Sequence, residues 1–572
     1  MIGRQPFSPL RTRRTPPVPG AVEIARIRLM VAGSLAIAAF LLVAVRLTIV
    51  TVLPTPEAAR AGTQIESSNF RVSRADILDR NGQLLATNLD TFSLYANPKL
   101  IQNPRLTAQN IVAILPELRE ETVVRQLKEK RDFVWIKRRL TPEQKYAINK
   151  LGNPGLNFRT EERRFYPAGE VTGHIVGFTN IDNRGLSGFE RKFDKDLTES
   201  DTPLSLSIDL RVQHLMYQAL LTSLRRFKAR AATGIVLDAN NGQVISMVSL
   251  PDFNPNYLSS NNVKGLFNLA TQGVYEMGST FKIFTIAMAL DSGEITIQDG
   301  YDASKPIRVG RFLIRDYRPK NRWLSIPEIL LHSSNIGSAK IALDIGHHRQ
   351  RDFLGKLGLL ERPTLELDEQ ELGSPIIPDP WREVNAMTIA YGHGIAVSPI
   401  QITSAVAAVI NGGIYYEPTL LLTRSTRRGQ RIISNKTSDK IRRLLRLVVS
   451  EGSGRKADAK HYLVGGKTGT AEKVKDQAYN RKALRSSFVG AFPMNKPKYV
   501  VFAMVDEPIG NKDSRGYATG GWVAAPLVGK VIAQIAPLLG VKPINYESPK
   551  VRNQMAIGIR TKKLEKKHFA SF

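Results

Sequence analysis

The sequence predicts an α/β (α+β) protein, with an antiparallel sheet flanked by helices, a mixed N-terminal region before it and one membrane-spanning helix at the start. Three observations predict this. Residues 29–53 form an apolar stretch of 25 residues with a single charge, Arg46. Residues 234–248 read as a strand, a turn at Asn240-Asn241-Gly242 and a returning strand. Two further β-type runs, 487–492 and 499–505, come only near the end, after a largely helical middle and before an apolar helix over 523–539. First and last strands then meet in one sheet that helices cover.

The apolar stretch is long enough to cross a ~30 Å hydrocarbon core with some tilt, with Arg46 snorkelling toward the far interface. Six arginines precede it within residues 1–28, against Glu23, which holds the N-terminus in the cytoplasm under the positive-inside rule. A cleavable signal peptide is the competing reading, with Ala59-Arg60-Ala61 as its cleavage site. That site lies too far beyond the apolar run, and the run is too long for a signal h-region. An uncleaved anchor is therefore expected, and the roughly 500 residues after it are exported.

Composition narrows the chemistry. Of 572 residues, 81 are Lys or Arg and 51 are Asp or Glu, for a net charge of +30. The two ends, 1–28 and 550–567, carry eleven of those charges, and the rest is spread over a long middle. No run of basic residues interleaved with aromatics occurs on one helix face, so a solvated surface is read and no nucleic-acid partner is expected. Cysteine is absent, which excludes thiol nucleophiles, disulfides and thiolate metal sites. Only eight His are present, without a His-Glu-x-x-His pattern, so no metal and no cofactor is expected.

Residues 54–205 show short mixed elements. Arg74 to Gly82 reads as a strand entering an Asn-Gly turn, with Gln-Leu-Leu-Ala returning, whereas 164–169 and 185–190 read as loops by their Gly and Pro content. From 206 the pattern sharpens: Val212, Leu215, Met216, Ala219, Leu220 and Leu224 recur at helical spacing, predicting a helix over 209–226.

The chemistry-bearing residues lie beyond it. Gly278 ends a loop, and the apolar run after it reads as a buried helix with Ser279 in its first turn. Lys282, three residues on, shares that face, so hydroxyl and amine are expected side by side and pointing away from the core. A lysine drawn into an apolar site loses affinity for its proton and can serve as a base near neutral pH. The helix N-terminus favours the negative charge that develops during attack. Ser-x-x-Lys alone is a weak pattern, expected about twice by chance. It occurs a second time, at Ser453 and Lys456 in a Gly-rich loop with no apolar helix after it, which is read as a decoy.

Two more elements follow in order. Ser333-Ser334-Asn335 falls between two helical runs, and Lys467-Thr468-Gly469-Thr470 follows a Val-Gly-Gly stretch. A second Ser-x-Asn pattern near Ser259 to Asn262 precedes the nucleophile and lies in a loop. A P-loop at Gly466-Lys467-Thr468 would need a glycine where His461 stands, so a strand-edge Lys-Thr-Gly is the reading. The missing side chain at Gly469 lets another backbone approach the strand.

Ser279-x-x-Lys282, Ser333-x-Asn335 and Lys467-Thr468-Gly469, in this order, resemble the penicillin-binding protein and serine β-lactamase superfamily. RADILDRNG, RFYPAGEVTGHIVGF and GLSGFE are similar to the non-catalytic pedestal of class B penicillin-binding proteins, and PDFNPN and YEMGSTFK to their transpeptidase domain. Within class B, Ser333-Ser334-Asn335-Ile-Gly and AYGHGIAVSPIQ resemble the division-specific septal type. Met277 stands where the family usually has Pro, and Ala75 where it usually has Gly. No glycosyltransferase segment is seen.

The resemblance implies a serine penicillin-recognising transpeptidase domain at 206–545 on an elongated pedestal of dimerisation type at 54–205. A basic tail at 1–28 and the anchor at 29–53 precede it, and a basic tail at 546–572 follows. It implies acyl transfer from D-Ala-D-Ala stem peptides of nascent peptidoglycan through a serine acyl-enzyme, with β-lactams as mimics. Ser279 is the implied nucleophile and Lys282 its proton acceptor. Ser333 and Lys467 relay a proton to the leaving nitrogen, and Asn335 holds Lys282 and the substrate amide. Lys467, Thr468 and Thr470 bind the terminal carboxylate on the strand that carries Gly469, and the N–H groups of Ser279 and Thr470 form the oxyanion hole. Implied partners are the membrane-embedded lipid-linked glycan polymerase and other division proteins, at the septum of the bacterial inner membrane. Open alternatives are a same-fold D-Ala-D-Ala carboxypeptidase, β-lactamase or penicillin sensor, an elongation-type transpeptidase, and a non-catalytic cell-wall scaffold. For the tail after Pro549, contact with anionic headgroups and disorder both stay open.

Overall fold

A computed structural model describes residues 21–52, 73–258, 265–310, 312–475 and 478–558. The basic residues before 21 and after 558, Ala59-Arg60-Ala61 and Ser259 to Asn262 lie outside the described residues. At the N-terminus, Ala21–Val52 forms one helix of 32 residues. Its segment Arg28–Thr48 is long and apolar enough to cross a membrane, and none of its side chains is buried. The closing stretch that begins at Pro549 starts as a short helix, Pro549–Met555.

The residues after 206 build the predicted sheet. Its strands are β1 (Ala231–Asp238), β2 (Val244–Leu250), β3 (Gly465–Lys475), β4 (Ala478–Phe492) and β5 (Tyr499–Asp506). They lie in the order β3-β4-β5-β1-β2, all antiparallel, so the first and last strands of the domain do meet, β5 against β1. Side chains alternate along a strand. On β1, Ile235 and Leu237 enter one core with Phe284, Val406 and Leu444, while Val236 enters a second core with Met216, Leu220, Val528 and Ile532. The second core belongs to α1 (Leu210–Arg226) and the closing helix Ala524–Leu538, close to the predicted 209–226 and 523–539. The first belongs to α2 (Lys282–Ser292), Pro399–Ile410 and Asn435–Ser450. Three layers result, with β3 as an open sheet edge.

The N-terminal region has its own small core, where Leu94, Ile111, Val123, Ile136 and Ile148 meet. The expected strand and Asn-Gly turn are present: Ile77–Leu78 pairs with the start of Leu84–Ala96, and Gly82 takes φ +82° in between. Two segments read as loops are in part regular. Arg164 and Phe165 end the strand Leu156–Phe165, Gly185–Ser187 is a short strand, and Gly188–Lys192 is a helical turn. The reason is a buried ionic network that composition does not reveal. Both carboxylate oxygens of Glu190 are held, by Arg74 Nε and Arg164 Nε, each at 2.6 Å. Arg164 also donates to the carbonyls of Arg74 and Ala75. Three separate sequence motifs are thereby tied together. Removing the carboxylate leaves Arg164 buried with no acidic partner among the described residues and Arg74 with Asp194 alone, at 2.7 Å, so Glu190→Ala is expected to cost about 3–5 kcal/mol, read as a lowered denaturation midpoint.

Polar clamps then fix this region to the sheet domain. Asp79, buried in the turn, accepts from the N–H of Leu210 at the start of α1 (3.0 Å). Asn256 exchanges two hydrogen bonds with the backbone of Tyr166, at 3.0 and 2.9 Å.

Candidate active site

The structure brings Ser279, Lys282, Ser333, Asn335 and Lys467 to one point beside the edge strand. Lys282 Nζ lies 2.9 Å from Ser279 Oγ, 3.1 Å from Ser333 Oγ and 2.7 Å from Asn335 Oδ1. It also donates to the Ser333 carbonyl at 2.9 Å. Ser333 Oγ stands 2.9 Å from Ser279 Oγ, and Lys467 Nζ is 3.1 Å from Ser333 Oγ.

Local sequence accounts for each position. Gly278 (φ +53°) opens a 3-10 turn, Gly278–Phe281, and the α-helix begins only at Lys282. Every residue from Ile283 to Leu290 is buried, Thr285 being the one polar side chain among them and donating to the Ala390 carbonyl at 2.9 Å, and Gly293 in the left-handed conformation ends the helix. Ser279 is half-buried, but Lys282 is fully buried and does not point away from the core as its spacing suggested. It turns inward because Asn335 and the Ser333 carbonyl reach it from the neighbouring connection.

That connection is a helix–helix corner. Ile326–His332 ends at Ser333, which adopts φ +58°, ψ +46°, and Ser334 caps Asn335–Ile345 by accepting from Gly337 N at 3.0 Å. A left-handed serine is strained, and here the strain puts its hydroxyl between two lysines. Lys467 and Gly469 follow on β3. A Cβ on Gly469 would sit 2.7 Å from the carbonyl of Met277, so the close backbone approach is real. Thr470 packs its backbone against Gly278 and accepts from Gly520 N through Oγ1 at 3.1 Å. Thr468 Oγ1 is 2.8 Å from Ser453 Oγ.

Electrostatics follow from burial. Lys282 is held well below its ordinary value, first by burial, then by the neighbouring Lys467 charge, against a smaller opposing pull from Asp316. Burial alone brings Lys467 down to about 7. Two ammonium groups sharing Ser333 repel, so the site favours one neutral and one charged lysine at neutral pH.

Several contributors were not singled out from sequence. Asp316 accepts from Ser334 Oγ (2.8 Å), Asn335 N (2.6 Å) and Ile336 N (3.0 Å), anchoring the corner. Asp316→Ala should lower the acylation rate about 10–100-fold by loosening that geometry, with Asp316→Asn recovering part of it in the same kinetic assay. The Lys456 that follows Ser453, the serine read as a decoy, lies over the Trp522 ring at 3.9 Å, and the Ser453 hydroxyl borders the site at Thr468. AYGHGIAVSPIQ packs on the Ser279 turn, with Gly278 N donating to Gly392 O at 3.3 Å and Gly394 N to Glu276 at 2.9 Å. Among the described residues, no group of three or more His, Asp or Glu could hold a metal ion.

Comparison with known proteins shows the family. The family described as penicillin binding protein transpeptidase domain matches residues 232–533, and the penicillin-binding protein dimerisation domain matches residues 70–201. The chain is 37% identical over 486 residues to the probable peptidoglycan D,D-transpeptidase FtsI of Caulobacter vibrioides, covering 82% of each. It is 28% identical to peptidoglycan D,D-transpeptidase FtsI of Escherichia coli K12, covering 82% of this chain and 84% of the other. Stage V sporulation protein D of Bacillus subtilis is 32% identical over 83% of this chain and 79% of its own length. The crystal structure of penicillin binding protein 3 from Mycobacterium tuberculosis, complexed with aztreonam, superposes with a TM-score of 0.66 at 21% identity, over 83% of this chain and 97% of that one. On these matches the chain belongs to the penicillin-binding protein transpeptidase family, as a division-type class B member that joins a transpeptidase domain to a dimerisation domain.

Proposed function

We propose that this chain is the septal peptidoglycan D,D-transpeptidase, cross-linking the wall during cell division by acyl transfer through Ser279 and open to covalent capture by β-lactams. The observation that carries the reading is the buried Lys282 amine 2.9 Å from Ser279 Oγ, with its proton affinity depressed. A neutral amine accepts the Ser279 proton as the oxygen attacks the carbonyl of the penultimate D-Ala, forming the ester and expelling D-Ala. The N–H groups of Ser279 and Thr470 stabilise the oxyanion. The proton needed by the departing nitrogen passes from Lys467 through Ser333, whose Oγ touches both sides of the path. Asn335 holds Lys282 in line and presents its side chain to the substrate amide. Thr468 and Thr470 hydroxyls, with the Lys467 charge behind them, take the terminal carboxylate. An amine of a neighbouring stem then resolves the acyl-enzyme. A carboxypeptidase would use water at that step.

The same reading divides the chain at 1–28, 29–53, 54–205, 206–545 and 546–572. It places the N-terminus in the cytoplasm and the catalytic domain outside, and gives the pedestal and anchor the lipid-linked glycan polymerase and other division proteins as partners. The apolar Arg28–Thr48 helix supports a membrane anchor.

The pH profile tests the two lysines. Acylation needs Lys282 neutral, so the rate falls on the acid side as that amine takes up a proton. It needs Lys467 charged, so the rate falls on the alkaline side as Lys467 loses its proton. A bound carboxylate favours the ammonium, which sets the alkaline limb at or above about 7. A bell-shaped profile of β-lactam acylation is expected; a rate that climbs without an alkaline limb contradicts the role of Lys467. The reading as a whole is tested by incubating the full chain with a D-Ala-D-Ala stem peptide and an acceptor amine, where cross-linked product is expected and hydrolysis alone would favour the carboxypeptidase.

A further inference from the structure

The segment 366–376 lies outside every motif read from the sequence, yet it joins the N-terminal region to the Ser279 turn. On one side it meets the helical turn Gly188–Lys192. Gly188 N donates to Glu371 at 2.9 Å, and Arg191 pairs with Asp368 at 2.5 Å. On the other side it meets the stretch that leads into Ser279. Gln272 donates through Nε2 to the carbonyl of Gln370 at 2.8 Å, and Gly373 N donates to the carbonyl of Thr271 at 2.9 Å. Further on, Ile376 and Ala396 exchange two backbone hydrogen bonds, each 2.9 Å, and Val397 exchanges two with Tyr275, at 2.9 and 3.0 Å. Gly392 and Gly394, in the same stretch as Ala396, are the residues that hold Gly278 and Glu276.

These contacts leave little slack. A Cβ on Gly373 would stand 2.3 Å from the Gln272 carbonyl, and one on Gly392 would stand 2.1 Å from the Gly278 carbonyl. Backbones packed this closely transmit a displacement instead of absorbing it. The pedestal end is fixed as well, because Gly188 stands two residues before Glu190 and its paired arginines. Glu371 itself is a partly buried carboxylate that takes no part in acyl transfer. Burial raises its proton affinity, against the opposing hydrogen bond from Gly188 N–H. Keeping a carboxylate in such a place costs free energy, and the hydrogen bond it makes there is to the pedestal.

We infer that Glu371 is a positioning residue for Ser279: through the Gln370 carbonyl and Gln272 it sets the turn that carries Ser279 against Lys282 and β3, so that the pedestal governs the rate of the covalent step. The inference rests on the acyl-transfer reading, since Ser279 is the group positioned.

Stopped-flow acylation of the full chain, in detergent, by a fluorescent penicillin separates noncovalent binding from the covalent step, and thermal unfolding is followed for each variant. Glu371→Ala should lower the covalent rate constant about 5–20-fold and leave the binding constant within about twofold. Glu371→Gln keeps the accepting oxygen and should restore most of the rate. Gln272→Ala should give a similar loss, and the double variant Glu371→Ala/Gln272→Ala should lose no more than about twofold beyond either single one, because both act along the same path. Asn256→Ala breaks a different clamp between pedestal and sheet domain, at the Tyr166 backbone. It should lower the unfolding midpoint and leave the covalent rate constant within about twofold. A wild-type rate in Glu371→Ala, no recovery in Glu371→Gln, additive losses in the double variant or an equal slowing in Asn256→Ala would overturn the inference. An unaltered chain that is not acylated at all would overturn the acyl-transfer reading first, and the inference with it.

Discussion

Ser279→Ala removes covalent labelling by a fluorescent penicillin, with a loss on the order of 10⁴-fold or more, while the protein keeps its thermal unfolding transition. The loss is large because no second nucleophile stands at the same point. Ser333 Oγ is 2.9 Å away, but its backbone is locked in the left-handed conformation and its hydroxyl is already shared with Lys282 and Lys467. The fold is retained because Ser279 is half-buried and its side chain contributes little to either core. Labelling of this variant at an ordinary rate would remove Ser279 from the mechanism.

Lys282→Ala has nearly as large an effect for a different reason. General-base catalysis contributes about 10²–10⁴-fold, and here the base also fixes the ground state, since its Nζ gathers Ser279, Ser333 and Asn335. The expected fall in acylation is therefore about 10³-fold or more. A stability readout separates the two roles. The wild-type lysine is buried with its charged form disfavoured, so replacing it removes a desolvated amine as well as its hydrogen bonds. Acylation should collapse without a comparable loss of folded protein. Near-normal acylation would show that another group is the base, and Lys467, down at about 7, would be the next to test.

The parts of this architecture that could be read from sequence are those carried by local pattern. The amphipathic spacing from Val212 to Leu224 and the Asn-Asn-Gly turn at 240–242 each depend on a few neighbouring residues, and both appear as expected. Gly469 was legible because a glycine inside a strand has few other uses, and the carbonyl of Met277 does approach it. What stayed hidden depends on pairing across the fold. Asp316 sits in a polar stretch, Arg315 to Lys320, with no periodicity, and its importance arises only when that stretch folds against Asn335. The inward turn of Lys282 has the same origin, because helical spacing sets which residues share a face but not which neighbour covers that face. The 185–190 segment read as a loop because Gly and Pro content is local, whereas Glu190 is fixed by arginines 116 and 26 residues away. Ser453 shows the converse, a residue set aside as a nucleophile whose hydroxyl still borders the site.

Intact-mass spectrometry of the full chain with excess benzylpenicillin tests the central claim most directly. A stable adduct of one β-lactam, mapped by peptide digestion to Ser279, is the predicted result. Rapid loss of penicillin without an adduct would make the chain a β-lactamase, and folded protein that leaves penicillin intact and unbound would contradict acyl transfer altogether.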